Sequence, residues 1–208
     1  MKYKTIFWDF DGVIIDSMSV RDWGFREVFK DFTELQVDRL INYHRSNGGL
    51  SRYVKIRYFY EEILGKQISG EEVMKYADEF SKLMKEELVN PKNLIIDSVF
   101  FIKENYQKYN FHIVSGSDQE ELRFLCKKLG LYPCFISIYG SPTPKKQLVA
   151  SLLEKGGYNT HEVCLIGDSI NDFEAAKANN ITFIGYNNIS LKKITSNYIK
   201  SFKLNKVL

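Results

Sequence analysis

Cysteine is scarce in this chain. There are three, Cys126, Cys134 and Cys164, and no two stand in a C-x-x-C pair. An odd set without a secretory pattern excludes a disulfide framework and argues for reduced thiols. Cys164 sits within the apolar run Val163 to Ile166, where a thiol behaves as a small hydrophobe. Long hydrophobic runs are absent, so no segment reads as a membrane span. The N-terminal stretch MKYKTIFWDFDG passes from lysines straight into a strand-like run, without a signal-peptide core, and the expectation is a cytoplasmic protein. An excess of one charge is missing too. Twenty-nine Lys and Arg against 26 Asp and Glu leave a net charge of +3, a balance that does not suggest a nucleic-acid binder. The densest basic stretch is Lys192, Lys193, Lys200, Lys203 and Lys206, which alternate with Ile194, Tyr198, Ile199, Phe202 and Leu204. That alternation predicts the solvated face of a terminal helix and tail. Internal repeats and low-complexity segments are absent.

What is present is an ordinary globular composition, 44% hydrophobic and 14% aromatic over 208 residues. It is long enough for one sizeable core or a core with a small second domain. Short apolar runs recur at Ile6 to Trp8, Phe111 to Val114, Phe135 to Tyr139, Val163 to Ile166 and Thr182 to Ile184. Apolar on successive residues, with helical patterns between them, they predict an α/β fold with a parallel sheet covered on both faces. Ser117 followed by Glu120 reads as a capping box for a helix through Leu129, with Gly130 as its stop. Pro144 suits the first turn of the next helix. Residues 17–90 contain no strand pattern but several helical faces. One is Phe25, Val28, Phe29 and Phe32; another is Ile56, Tyr60, Ile63 and Leu64; a third is Val73, Ala77, Phe80, Met84 and Leu88. These predict a helical cap domain at 17–90, inserted into a core of 1–16 and 91–208, with Asn90-Pro91 at the return.

The strand ends carry the chemistry. The first ends in Asp9-Phe10-Asp11-Gly12 and the second in Ser115-Gly116-Ser117. Lys145 and Lys146 follow the third, and Gly167-Asp168-Ser169-Ile170-Asn171-Asp172 closes the fourth. In a parallel sheet these ends share one edge. Carboxylates gathered there repel one another unless a cation lies among them, and an all-oxygen site that meets phosphate suits Mg²⁺. A phosphate ester resists anionic attack. Its cleavage needs a carboxylate nucleophile, a metal, a fixed cation, a hydroxyl and an acid for the leaving alkoxide. Asp9, Mg²⁺, Lys145, Ser115 and Asp11 match those roles. Read one at a time, Asp168 serves equally as a helix cap, and Asp16 and Ser17 as caps for the helix that follows.

These motifs, in this order, resemble the haloacid dehalogenase superfamily of phosphohydrolases. The likeness extends over nearly the whole chain and is strongest to helical-cap members of the phosphoglycolate phosphatase and β-phosphoglucomutase type. Asp9 to Val13 resembles the first motif, Ser115 the second, Lys145 the third, and Gly167-Asp168 with Asp172 the fourth. The resemblance implies Asp9 as nucleophile, and Asp11 as acid and then base. It also implies Mg²⁺ held by Asp9, the Asp11 carbonyl and Asp168, with Asp172 in support, and the phosphate on Ser115, Gly116 and Lys145 rather than Lys146. In the cap, Arg45, Arg52 and Lys55 beside the turn Asn47 to Ser51 are candidates to reach substrate, with Arg21 a weaker one. Asp11 is expected to be protonated as the ester binds, its pKa raised by neighbouring carboxylates and by the phosphate dianion. The activity expected is Mg²⁺-dependent hydrolysis of a small phosphorylated metabolite by a monomer or weak homodimer. A phosphomutase and a non-catalytic phosphate-binding module remain as alternatives, while a dehalogenase would leave Asp11 without a task.

Overall fold

In the computed structural model, which describes residues 2–204, the five apolar runs form five strands of one parallel sheet, and a short sixth strand is added near the end of the chain. They are β1 (Thr5–Trp8), β2 (Asn110–Asp118), β3 (Ser137–Ser141), β4 (Val163–Gly167), β5 (Thr182–Tyr186) and β6 (Tyr198–Ile199). Their order is β3-β2-β1-β4-β5-β6, and every pairing is parallel. The helices that connect them are α1 (Met18–Val28), α2 (Glu34–Ser46), α3 (Arg52–Tyr58), α4 (Gly70–Glu87), α5 (Ile96–Asn105), α6 (Gln119–Lys128), α7 (Lys145–Gly156) and α8 (Ile170–Ala178).

Burial on both faces explains why the strands read as unbroken apolar runs. Ile6 and Trp8 of β1 pack into one cluster with Ile102 of α5 and Leu122 of α6. Phe7, between them, points the other way into a cluster with Val149 of α7 and Ala175 of α8. Trp8 meets Phe111 edge-on at 5.4 Å, a packing role with no chemistry.

The strandless segment between β1 and β2 folds as α1 to α4, joined face to face by aromatic contacts. Phe25 lies 4.4 Å from Phe80, and Phe29 lies 4.3 Å from Phe59 in a wide helical turn, Phe59–Ile63, that extends α3. The chain passes between these helices and the sheet twice, side by side. The Asp16 N–H donates to the Asn93 carbonyl at 2.7 Å and the Ile95 N–H to the Ile14 carbonyl at 2.9 Å.

Some local expectations give way to tertiary contacts. β3 begins at Ser137 rather than Phe135, and Ile136 is exposed before it. Asp118, not Ser117, caps α6 by accepting from the Glu121 N–H at 2.9 Å, while Pro144 stands one residue before the first turn of α7. Past β5 there is no terminal helix among the described residues. Short 3₁₀ turns flank β6, which pairs Tyr198 with Gly185. The tail is tied instead by Asp97, which accepts from the Ser201 hydroxyl and the Phe202 N–H, each at 2.8 Å. Lys206 lies outside the described residues. None of the described helices is long and apolar enough to cross a membrane.

Candidate active site

The strand order reverses direction on either side of β1, so the crevice at the C-terminal ends of β1 and β4 is where an open sheet of this kind receives a ligand. Asp9 follows β1 directly and its N–H is held by the Ile166 carbonyl at 2.9 Å. Lys145, the first residue of α7, reaches across and donates to Asp9 Oδ1 at 2.7 Å and to Asp172 Oδ1. All three residues are buried, whereas Lys146 is exposed. Asp172 is further fixed by Ser169, whose N–H and hydroxyl donate to its Oδ2 at 3.0 and 2.7 Å. Ser169, not Asp168, is therefore the cap of α8, which leaves the Asp168 carboxylate free of that task.

Oxygens of Asp9, Asp168 and Asp172 lie within 4.8 Å of one another. Burial first, then the charge of Asp172, raise the Asp9 pKa to about 7, against the opposing pull of Lys145. Burial and the charges of Asp9 and Asp172 likewise push Asp168 well up. Lys145 is desolvated, yet the two carboxylates beside it hold its ammonium charged. Three carboxylates against one lysine leave a surplus of negative charge, and the donors are all oxygen. Both properties fit Mg²⁺. Gly12 shapes this corner: its φ is +75°, and a Cβ there would overlap the Asp168 carboxylate.

Asp11 lies outside that trio and faces the helices. Ser17 and Ser117 donate to its two oxygens at 2.5 Å each, and Arg21 Nε donates at 2.6 Å. Burial alone would raise its pKa, but the Arg21 charge and these hydrogen bonds outweigh burial and lower it to about 2. Arg21 and the two hydroxyls thus hold Asp11 ionised before an ester is bound, whereas the expected rise belongs to the complex in which the phosphate dianion is added. Ser17 stands at the start of α1 without a side-chain cap bond, since its hydroxyl is committed to Asp11. Ser17 and Arg21 are four residues apart on one helix, so both meet Asp11 from the same face.

The other candidates divide. Ser115 is buried at the end of β2, its hydroxyl accepting from the Ser117 N–H at 3.1 Å. Gly116 lies so close to the Gly49 backbone that a side chain could not fit. Arg45 is largely exposed and pairs with Asp22 at 2.7 Å. Arg52 and Lys55 are buried, but Arg52 is engaged by Glu121 and Ser81. Lys55 donates to His44 Nδ1 at 2.9 Å, for burial and the charge of Lys55 keep His44 neutral, its pKa lowered to about 2. A cavity of about 170 Å³ opens among Asp9, Asp11, Arg21, His44 and Asp168. Glu121, buried on α6, was not legible as a site residue: its partners Arg21 and Arg52 lie far from it along the chain, Arg21 by 100 positions.

Comparison with solved structures finds the same fold at low identity. β-Phosphoglucomutase from Clostridium difficile superposes with a TM-score of 0.76 at 16% identity, covering 98% of this chain and 94% of that one. CbbY from Rhodobacter sphaeroides, in complex with phosphate, gives 0.75 at 13%, covering 97% and 96%. A predicted phosphoglycolate phosphatase from Haemophilus somnus gives 0.73 at 16%, again covering 97% and 96%. Curated protein sequences provide no match. The family sequence model described as haloacid dehalogenase-like hydrolase, however, matches residues 6–186. That span contains every strand-end motif of the site, and the chain belongs to the haloacid dehalogenase-like hydrolase family.

Proposed function

We propose that this protein is a Mg²⁺-dependent phosphatase that moves the phosphoryl group of a small monoester first to Asp9 and then to water. The observation that carries the reading is the buried Lys145 ammonium bonded to Asp9 and Asp172, with Asp168 completing an all-oxygen trio. Lys145 holds Asp9 as an ordered carboxylate and is a fixed cation for a phosphoryl oxygen. Asp9 and Asp168, with Asp172 in support and the Asp11 carbonyl as the family resemblance implies, would hold the metal. Bound there, Mg²⁺ supplies positive charge against a phosphoryl oxygen and lets the Asp9 carboxylate approach the phosphate dianion.

In the first step an Asp9 oxygen bonds to phosphorus, the ester P–O bond breaks, and Asp11 gives its proton to the leaving oxygen. In the second, water attacks the phospho-aspartate, Asp11 takes the water's proton, and phosphate departs with Asp9 restored. Asp11 is held ionised by Arg21, Ser17 and Ser117, which is the state the second step requires. For the first step it must gain a proton as the phosphate dianion arrives beside it. Ser115 and Gly116, at the end of β2, are suited to the remaining phosphoryl oxygens. Residues 17–90 act as the cap, with Arg21 and Arg52 over the site; Arg45, on the outer surface with Asp22, is better suited to orienting α2. A cavity of about 170 Å³ suits a small metabolite, being well below the roughly 300 Å³ at which drug-sized pockets begin.

Phosphate release from an aryl phosphate and a panel of phosphorylated metabolites tests this, with Mg²⁺, with a chelator, and with Asp9→Asn. Metal-dependent release that vanishes in the variant is expected. A sugar phosphate converted to an isomer with no free phosphate would instead identify a mutase.

A further inference from the structure

The cations that face Asp11 from the helices are already matched by anions. Arg21 donates through Nη2 to Glu121 Oε1 at 3.2 Å, and Arg52 Nη2 lies 2.6 Å from Glu121 Oε2, an ion pair without hydrogen-bond alignment. Arg52 also donates to the Ser81 hydroxyl at 2.5 Å, and its guanidinium lies over the Phe80 ring, 4.7 Å from the centroid. With Arg21 on Asp11 as well, two buried guanidinium groups face two carboxylates. Farther out, Arg45 is paired with Asp22. Lys55 is the buried cation without a carboxylate contact. It is bonded to His44 and faces the Gly48 carbonyl, and burial together with the Arg21 charge lowers its pKa to about 7. The pocket against Asp11 is therefore close to neutral.

Glu121 has no exposed surface and is not needed to start its helix, which Asp118 caps. A fully buried carboxylate is costly unless paired, and an apolar residue would serve the packing of α6 as well. Its role lies in what it holds. The leaving oxygen must be within reach of Asp11, so the leaving group meets the mouth of the recess above Asp11, a space of about 20 Å³ lined by Arg21, Arg52, Lys55 and His44.

We propose that Glu121 determines specificity: by holding Arg21 and Arg52 it reserves the site for phosphate esters with an uncharged leaving group and turns away those that carry a second anion. This rests on the phosphatase reading above. A carboxylate entering the recess would have to draw an arginine from Glu121, leaving that buried charge unpaired, or lie against it, or take Lys55 from His44 and the Gly48 carbonyl. A hydroxyl can accept from a guanidinium or donate to a carboxylate without displacing either.

The test compares glycerol phosphate with phosphoglycerate, each esterified on a terminal carbon and differing at the far end by a hydroxymethyl against a carboxylate. The wild type should favour glycerol phosphate in kcat/KM by about ten-fold or more. Glu121→Gln should shrink or invert that ratio by a similar factor, mainly through a lower KM for phosphoglycerate, while Glu121→Asp keeps the wild-type direction. A residue that only supports the fold would change both substrates equally, and that result would overturn the proposal. So would a wild type that prefers phosphoglycerate, a result that needs no variant. Aryl phosphate turnover separates the two readings. Its absence would overturn the phosphatase reading and this one with it, whereas its presence alongside a phosphoglycerate preference overturns only the role of Glu121.

Discussion

Raising the pH should weaken the metal-free wild type relative to an Asp9→Asn variant, and Mg²⁺ should reverse that loss. Asp9 rises from its ordinary 3.8 to about 7 on folding, chiefly through burial and the charge of Asp172. A carboxyl that binds its proton more tightly in the folded chain favours folding fully below pH 3.8, and that contribution is lost as the pH climbs to about 7. At about 1.36 kcal/mol per pH unit the whole effect is about 4 kcal/mol, of which about 2 kcal/mol falls between pH 5.5 and 7. Asp168 shifts in the same direction, while the lowered Asp11 contributes a constant amount above about pH 5. For a chain of this length each kcal/mol moves the melting temperature by about 2–4 °C. In chelator the wild type should therefore lose about 4–8 °C relative to Asp9→Asn between about pH 5.5 and pH 8, because His44, His112 and Lys55, whose pKa values burial lowers, act in the opposite direction in both proteins. Mg²⁺, which binds the ionised carboxylates, should stabilise more at the higher pH. Asp9→Asn in chelator removes the Asp9 contribution and leaves those of His44, His112 and Lys55, so the two slopes should differ by that amount. A wild type and an Asp9→Asn variant with the same slope would refute the reasoning, because the clustered charge would then not be at Asp9.

Lys145→Met removes the cation between Asp9 and Asp172 and should cost about 3–5 kcal/mol in denaturant titration and about 10²–10³ in phosphate release. Lys146→Met, on an exposed side chain, should stay within about 0.5 kcal/mol of wild type. Gly12→Ala forces a Cβ onto the Asp168 carboxylate at a positive φ, and should weaken Mg²⁺ binding by about 10–100-fold in calorimetry. Asp11→Asn should slow alkyl phosphates far more than activated aryl phosphates, whose leaving groups need little protonation; equal losses would count against its acid role.

The sheet was legible because β1, β2, β4 and β5 are buried on both faces, which writes them as short unbroken apolar runs. Asp9, Lys145, Asp168 and Asp172 were legible for a related reason: each follows a strand, and a parallel sheet gathers such positions at one edge. The surroundings of Asp11 were not. Ser17 and Ser117 read as helix caps and Arg21 as a weaker candidate to reach substrate, and only the approach of α1 to the end of β2 makes them partners of Asp11. That Asp11 is held ionised before the ester binds was not legible for the same reason, since the neighbouring carboxylates are visible along the chain and the arginine above them is not. The terminal segment misled through its periodicity. Ile199 and Phe202 do pack, but in a two-residue strand and a turn tied to Asp97, contacts that no local pattern encodes.

The most direct test of the central claim is to capture the phosphoryl group on the enzyme. Asp11→Asn protein mixed with Mg²⁺ and a radiolabelled aryl phosphate, then quenched in acid, should retain label on the peptide containing Asp9. The account predicts that the label is absent in the double variant with Asp9→Asn and in the presence of a chelator. Turnover of the ester by wild type with no label at Asp9 in the trapping variant, and undiminished turnover by Asp9→Asn alone, would mean that water attacks phosphorus directly and would contradict the account.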